Sequence, residues 1–112
     1  MIIDVGENHA AVRDADDCGR FHVESALGPA DLDRALRAAS AGHGDGDGAA
    51  WVSVGWVRST ADAAPWTAVG TDWPTRFDAM LDYARGKGWL DESGTHLRAH
   101  VVKTPAADAA GP

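Results

Sequence analysis

Two short segments with a strict alternation of apolar and polar residues constrain the fold most strongly. In GRFHVES, residues 19–25, the polar side chains between apolar ones are His22 and Glu24. In THLRAHVVK, residues 95–103, they are His96, Arg98 and His100. A period of two residues is typical of a strand with one buried and one open face. The sequence therefore predicts two strands whose histidines share the open face.

The spacing of His96 and His100 also raises the question of a metal site. On a helix the two imidazoles would lie one turn apart and could share an ion. On a strand, a rise of about 3.3 Å per residue separates them by about 13 Å, whereas zinc-bound nitrogens lie about 2 Å from the metal. The strand prediction thus indicates no metal site here. A metal held by His22 and one residue of the last strand remains a lesser alternative.

The order of predicted elements suggests a fold class. Strands are expected at 19–25, 50–59, 66–70 and 95–103, with helices at 29–41 and from Trp73 to about Gly88. The order β-α-β-β-α-β predicts an α+β, ferredoxin-like fold, with an antiparallel sheet and two helices on one face. In that fold the last strand lies antiparallel beside the first. That pairing would bring His22 near His100, and Glu24 near Arg98.

The remaining segments define the domain organisation. Residues 1–18 are expected to form an N-terminal arm or edge strand, residues 19–103 a single ferredoxin-like domain, and residues 104–112 a flexible tail. GHGDGDG, residues 42–48, lacks both the twelfth-position Glu of an EF-hand loop and the Gly-Lys-Ser/Thr of a phosphate-binding loop. It is expected to be a flexible connector. Trp56, Trp73 and Trp89 are expected to pack in the core.

Composition disfavours several function classes. The chain has 112 residues and a formal net charge of −7, and its basic residues are scattered singly. This pattern argues against binding to nucleic acid or to an anionic membrane. The single cysteine, Cys18, excludes an internal disulfide and a Cys-rich zinc module. The chain shows no apolar run of the length that a signal peptide or membrane span requires, so a cytoplasmic location is expected.

The first functional hypothesis is a small-molecule site on the open face of the sheet. Here the protein would bind, or turn over without an organic cofactor, a small anionic or aromatic molecule. His22 and His100 would be the catalytic acid–base groups, because imidazoles titrate near neutral pH. The expected ligand-binding residues are Glu24, Trp51, His96 and Arg98. The sequence leaves open whether the protein is an enzyme.

The second hypothesis is a non-catalytic accessory or regulatory module. Polar residues on an open sheet face need no ligand, because one face of an antiparallel sheet is commonly hydrated. If Trp51 and Val57 lay on that face, they would form an exposed apolar patch, which usually marks an interface. This interpretation predicts a homodimer or a protein partner bound through the open face.

Overall fold

The computed structural model describes residues 1–14, 17, 19–45, 48–63 and 72–104, with only the backbone of residues 62 and 63. Six strands and three helices lie in these ranges. The strands are β1 (Ile2–Gly6), β2 (His9–Arg13), β3 (His22–Ser25), β4 (Gly42–Gly44), β5 (Ala49–Ser53) and β6 (His96–Lys103). The helices are α1 (Pro29–Ala38), α2 (Val54–Ala63) and α3 (Trp73–Lys87). Helices were expected where α1 and α3 form and a strand where β6 forms, and these three predictions are confirmed.

The described strands form one mixed sheet in the order β2-β1-β3-β6-β5-β4. The pairs β1–β3 and β3–β6 are parallel, and the other neighbours are antiparallel. The sheet is curled into a half-barrel. Helix α1 contacts β1, β2 and β4, and α2 contacts β2 and β5. Both helices therefore touch strands from opposite ends of the sheet and lie within its curve.

The ferredoxin-like prediction is wrong, because the sheet is mixed and curled rather than simply antiparallel. One cause is the segment after Ser53, which was expected to continue a strand to residue 59 but forms α2. The Ser53 hydroxyl accepts a hydrogen bond from the backbone N–H of Trp56 at 3.1 Å, as a helix N-cap does. Val57 and Ala61, one turn apart, are both buried. The strand expected at 66–70 lies outside the described residues.

A second cause is the N-terminus, which supplies two strands. β1 lies between β2 and β3 in the sheet and is therefore an interior strand. The amino group of Met1 donates to the carbonyls of Asp17 and Arg20 at 2.6 and 2.7 Å, and the residue is only 1% exposed. The apolar run at the start of the chain is thus explained by burial in an interior strand. The 42–48 connector also supplies a strand, β4.

The core lies between the concave side of the sheet and the helices. Its largest fully buried side chains include Phe77 of α3, Leu36 of α1, and Ile3, Val23 and Val52 of the sheet. Ser25 is the buried polar residue among them, and its hydroxyl donates to the Val5 carbonyl at 2.8 Å. None of the described helices is long and apolar enough to cross a membrane.

Candidate functional site

The open face is defined here as the side of the sheet that points away from the helices. In register across the sheet, it carries every second residue of each strand, because strand side chains alternate between faces. All five histidines of the chain lie on it: His9, His22, His43, His96 and His100. Glu24, Trp51 and Arg98 lie there too. The six predicted site residues therefore share one face, although they fall into separate groups.

The first group joins β1, β2 and β3. Arg13 Nη2 donates to Glu24 Oε1 at 2.7 Å. The Nε atom of Arg13 lies 3.4 Å from Asp4 Oδ2. His22 Nε2 lies 2.9 Å from Glu24 Oε2. The hydrogen bond with His22, followed by that from Arg13, holds the pKa of Glu24 below its ordinary value. His22 is thereby bound to its neighbour on the same strand.

The register of β3 and β6 differs from the predicted one, in which His22 lies near His100 and Glu24 near Arg98. His22 is opposite His100, but in a parallel pair rather than an antiparallel one. Glu24 is consequently opposite Val102, and the predicted pairing of Glu24 with Arg98 is wrong. Because β3 and β6 are parallel, the residue two positions after His22 lies opposite the residue two positions after His100.

The second group lies at the start of β6. The rings of His43 and His96 have centroids 5.3 Å apart, and His96 Nδ1 lies 2.9 Å from the Thr95 hydroxyl. Burial raises the pKa of Asp91, but hydrogen bonds from the backbone N–H groups of His96 and Thr95 outweigh it, and the pKa is lowered. Within the described residues, no three His, Cys, Asp or Glu side chains are placed to hold a metal ion.

The third group centres on Arg98. Its Nε donates to Asp45 Oδ2 at 2.7 Å, and its side chain is 38% exposed. No acceptor for Nη1 or Nη2 is found among the described residues. Trp51 lies opposite Arg98 on β5 and is half-buried. Arg98 therefore presents two terminal donors on the open face.

Arg98 also marks the point where β6 changes its neighbour. Its backbone N–H donates to the Trp89 carbonyl at 2.6 Å, and Leu97 forms a bridge with Leu90. Beyond this point β6 pairs instead with β3, starting at His22 opposite His100. A gap therefore lies beside β6, between the segment at 89–91 and the segment that leads into β3. We call this gap the aromatic cleft; Phe21, Trp89 and Arg98 line it.

Two cavities meet at the aromatic cleft and share its three lining residues. The helix-side cavity has a volume of about 360 Å³ and is also lined by Arg20, Met80 and Tyr83, among others. The open-face cavity has a volume of about 240 Å³ and is also lined by Gly48, Ala49 and His100. Small-molecule pockets commonly measure about 300–1,000 Å³. The helix-side cavity therefore falls within the size range of small-ligand sites, and the open-face cavity is slightly smaller.

The walls of the cleft are aromatic and accessible. Tyr83 is 61% exposed and Trp89 is 43% exposed, and their rings meet edge to face with centroids 6.0 Å apart. The prediction that Trp89 packs in the core is wrong. Its position directly after Gly88, where α3 ends with a left-handed residue, places it at the surface.

Sequence reasoning identified two of the residues at the cleft, Arg98 and His100. It missed Tyr83, which could have been noticed because it lies off the buried stripe formed by Phe77, Leu81 and Ala84. Of the other predicted site residues, His22, Glu24, Trp51 and His96 do not line either cavity. Cys18 lies outside the described residues.

Comparison of the chain with known protein families, curated proteins and solved structures found no match.

Proposed function

We propose that the protein binds a small molecule with a flat aromatic body and an anionic group in the aromatic cleft. The observation that carries this proposal is the gap where β6 changes neighbour, because it places exposed aromatic rings beside an arginine with two terminal donors. Elsewhere on the open face, His22 is bonded to Glu24, and His43 is packed against His96. They offer no comparable concave surface.

The aromatic part of the ligand follows from Phe21, Tyr83 and Trp89. Aromatic rings stack on one another with offset or edge-to-face geometry, and each such contact contributes about 0.5–1.5 kcal/mol beyond the burial of area. Trp89 and Phe21 line both cavities, so a flat ring in the gap would contact both. An aliphatic ligand of equal size would forgo the ring–ring contribution.

The anionic part follows from Arg98. A guanidinium binds a carboxylate or sulfonate through paired N–H donors, and Nε of Arg98 is already engaged by Asp45. Nη1 and Nη2 are then the donors directed at the ligand. Arg20, which is exposed and lines the helix-side cavity, adds a second positive charge. In any turnover, His100 would be the acid–base group, since it is the imidazole that lines the cleft.

Self-association is the second candidate, and the exposure of Tyr83 favours it. The apolar patch of Trp51 and Val57 that the sequence predicts on the open face does not form, because Val57 lies in α2 and is 1% exposed. A second copy would have to cover Tyr83 and Trp89 at the cleft.

A titration with naphthalene-1-sulfonate tests the proposal. We expect the probe to perturb backbone amide resonances of residues 20–22 and 89–100, with Arg98→Gln weakening binding about tenfold or more, as for loss of a hydrogen bond to a charged group. The matched control is Arg34→Gln, because Arg34 is an exposed arginine paired with Asp31 on α1. If Arg98→Gln binds like the parent, Arg98 is not the anion site. Light scattering at the same concentration reports self-association, and a dimer that excludes the probe would favour the second candidate.

A further inference from the structure

His100 occupies a position in the aromatic cleft that none of the other histidines shares. It is exposed, lines the open-face cavity, and lies two residues from Arg98 on the same face of β6. At about 3.3 Å per residue, the two side chains leave the strand about 7 Å apart. An anion with two or three oxygens can reach both from one position.

The local charge makes the protonation state of His100 important. Arg98 is ion-paired with Asp45, whose side chain is only 12% exposed. This pair is neutral as a unit, so the open-face side of the cleft carries no net charge from it. A protonated His100 would add a positive charge directly to the cavity wall.

The other charged groups near His100 lie on β3 and on the 89–91 segment. On β3 the neighbours are His22 and Glu24, and Glu24 is held by Arg13. On β5 the facing residues are Ala49 and Trp51, which carry no charge. On the 89–91 segment Trp89 is uncharged, and Asp91 is engaged with the backbone at Thr95 and His96. Among the described residues, His100 is therefore the imidazole that lines the cavity.

We infer that His100 selects the ligand together with Arg98, and that the cleft binds its anionic ligand more tightly when His100 is protonated. This inference rests on the proposed function. Imidazoles change charge between about pH 5 and pH 8, so affinity for an anion rises as the pH falls through that range. The protein then holds its ligand more tightly under mildly acidic conditions than at higher pH.

The experiment uses naphthalene-1-sulfonate again, because a sulfonate keeps its charge throughout this pH range. We expect the affinity of the full chain to rise about fivefold between pH 8 and pH 5.5, the size of an exposed charge–charge contact. His100→Gln should abolish the rise, so that the variant binds the probe with the same affinity at both pH values. His22→Gln is the matched control, because His22 is the in-register neighbour of His100 but lines neither cavity, and it should keep the rise.

Each other outcome has a defined meaning. If His100→Gln shows the same rise as the parent, or if His22→Gln abolishes it, the inference is overturned. If the probe binds equally well at all pH values and depends on Arg98, the inference fails while the proposed function stands. If the probe binds at no pH, both are overturned. Far-UV circular dichroism of each variant at both pH values shows that the fold is retained.

Discussion

Replacing Leu97 and Arg98 in turn tests which face of β6 is buried. Leu97 is 3% exposed and packs in the core, whereas the Arg98 side chain is 38% exposed on the open face. A buried Leu→Ala change costs about 2–5 kcal/mol, depending on how far the site can relax. Leu97 also lines the helix-side cavity, so water can enter the space that Leu97→Ala creates. We therefore expect the lower part of the range, about 2–3 kcal/mol.

Arg98→Ala should cost less, because it removes a partly exposed ion pair, worth about 1 kcal/mol or less. Urea denaturation followed by far-UV circular dichroism measures the free energy of unfolding of both variants. The comparison holds if the slope of that free energy against urea concentration is unchanged. The melting temperature of Leu97→Ala should fall by about 10–15 °C. Leu97→Met is the control, since it conserves volume and should cost less than about 1.5 kcal/mol. Greater destabilisation by Arg98→Ala than by Leu97→Ala would show that the assigned faces are reversed.

Two further predictions concern glycines and acid stability. Gly86→Ala should stabilise the protein by about 0.5–1 kcal/mol, because Gly86 lies within α3 with nothing within 4 Å of an added Cβ. Gly88→Ala should instead destabilise it by about 1 kcal/mol, since Gly88 has φ of 78°; equal thermal shifts in the same direction would contradict this reasoning. The pKa of Asp91 is lower in the folded protein than in the unfolded chain, where it is about 4. The Asp91 carboxylate therefore stabilises the fold fully above that unfolded-state pKa, and this contribution is lost as the pH falls through the folded-state pKa. Asp91→Asn should therefore lower stability at pH 7 and flatten its decline between about pH 5 and pH 2, and an unchanged acid profile would argue against this role.

The candidate site was partly predictable because β6 carries a clear period-two pattern. Alternation fixes which side chains share a face, whatever the strand's neighbours are. It therefore placed His96, Arg98 and His100 together on the open face. It could not show which of them borders a cavity, because that depends on the strand or segment beside β6. The predicted pairing of Glu24 with Arg98 was wrong for the same reason, because it depended on the direction of the neighbouring strand.

Trp89 and Val57 show where local pattern was insufficient. Trp89 was expected in the core because it is a large aromatic residue, and Val57 was expected on the open face because of the alternation of the strand predicted at 50–59. Trp89 is exposed because α3 ends just before it, at a left-handed Gly88. Val57 is buried because the Ser53 hydroxyl caps α2 and turns the chain from strand to helix. A Ser at the N-cap position was visible in the sequence, but the β-branched and aromatic residues after it favoured a strand.

The sequence by itself determined the two amphipathic helices that carry a proline in their first turn, the strand at the end of the domain and the polar face of that strand. These features depend on interactions between residues close in the chain, such as helix capping and side-chain alternation. The tertiary structure alone decided that β1 is an interior strand, that β3 and β6 run parallel, and that β6 changes neighbour at Arg98. Strand pairing joins residues far apart in sequence, and its free energy depends on how the helices fill the curve of the sheet. The aromatic cleft exists only as a result of that pairing.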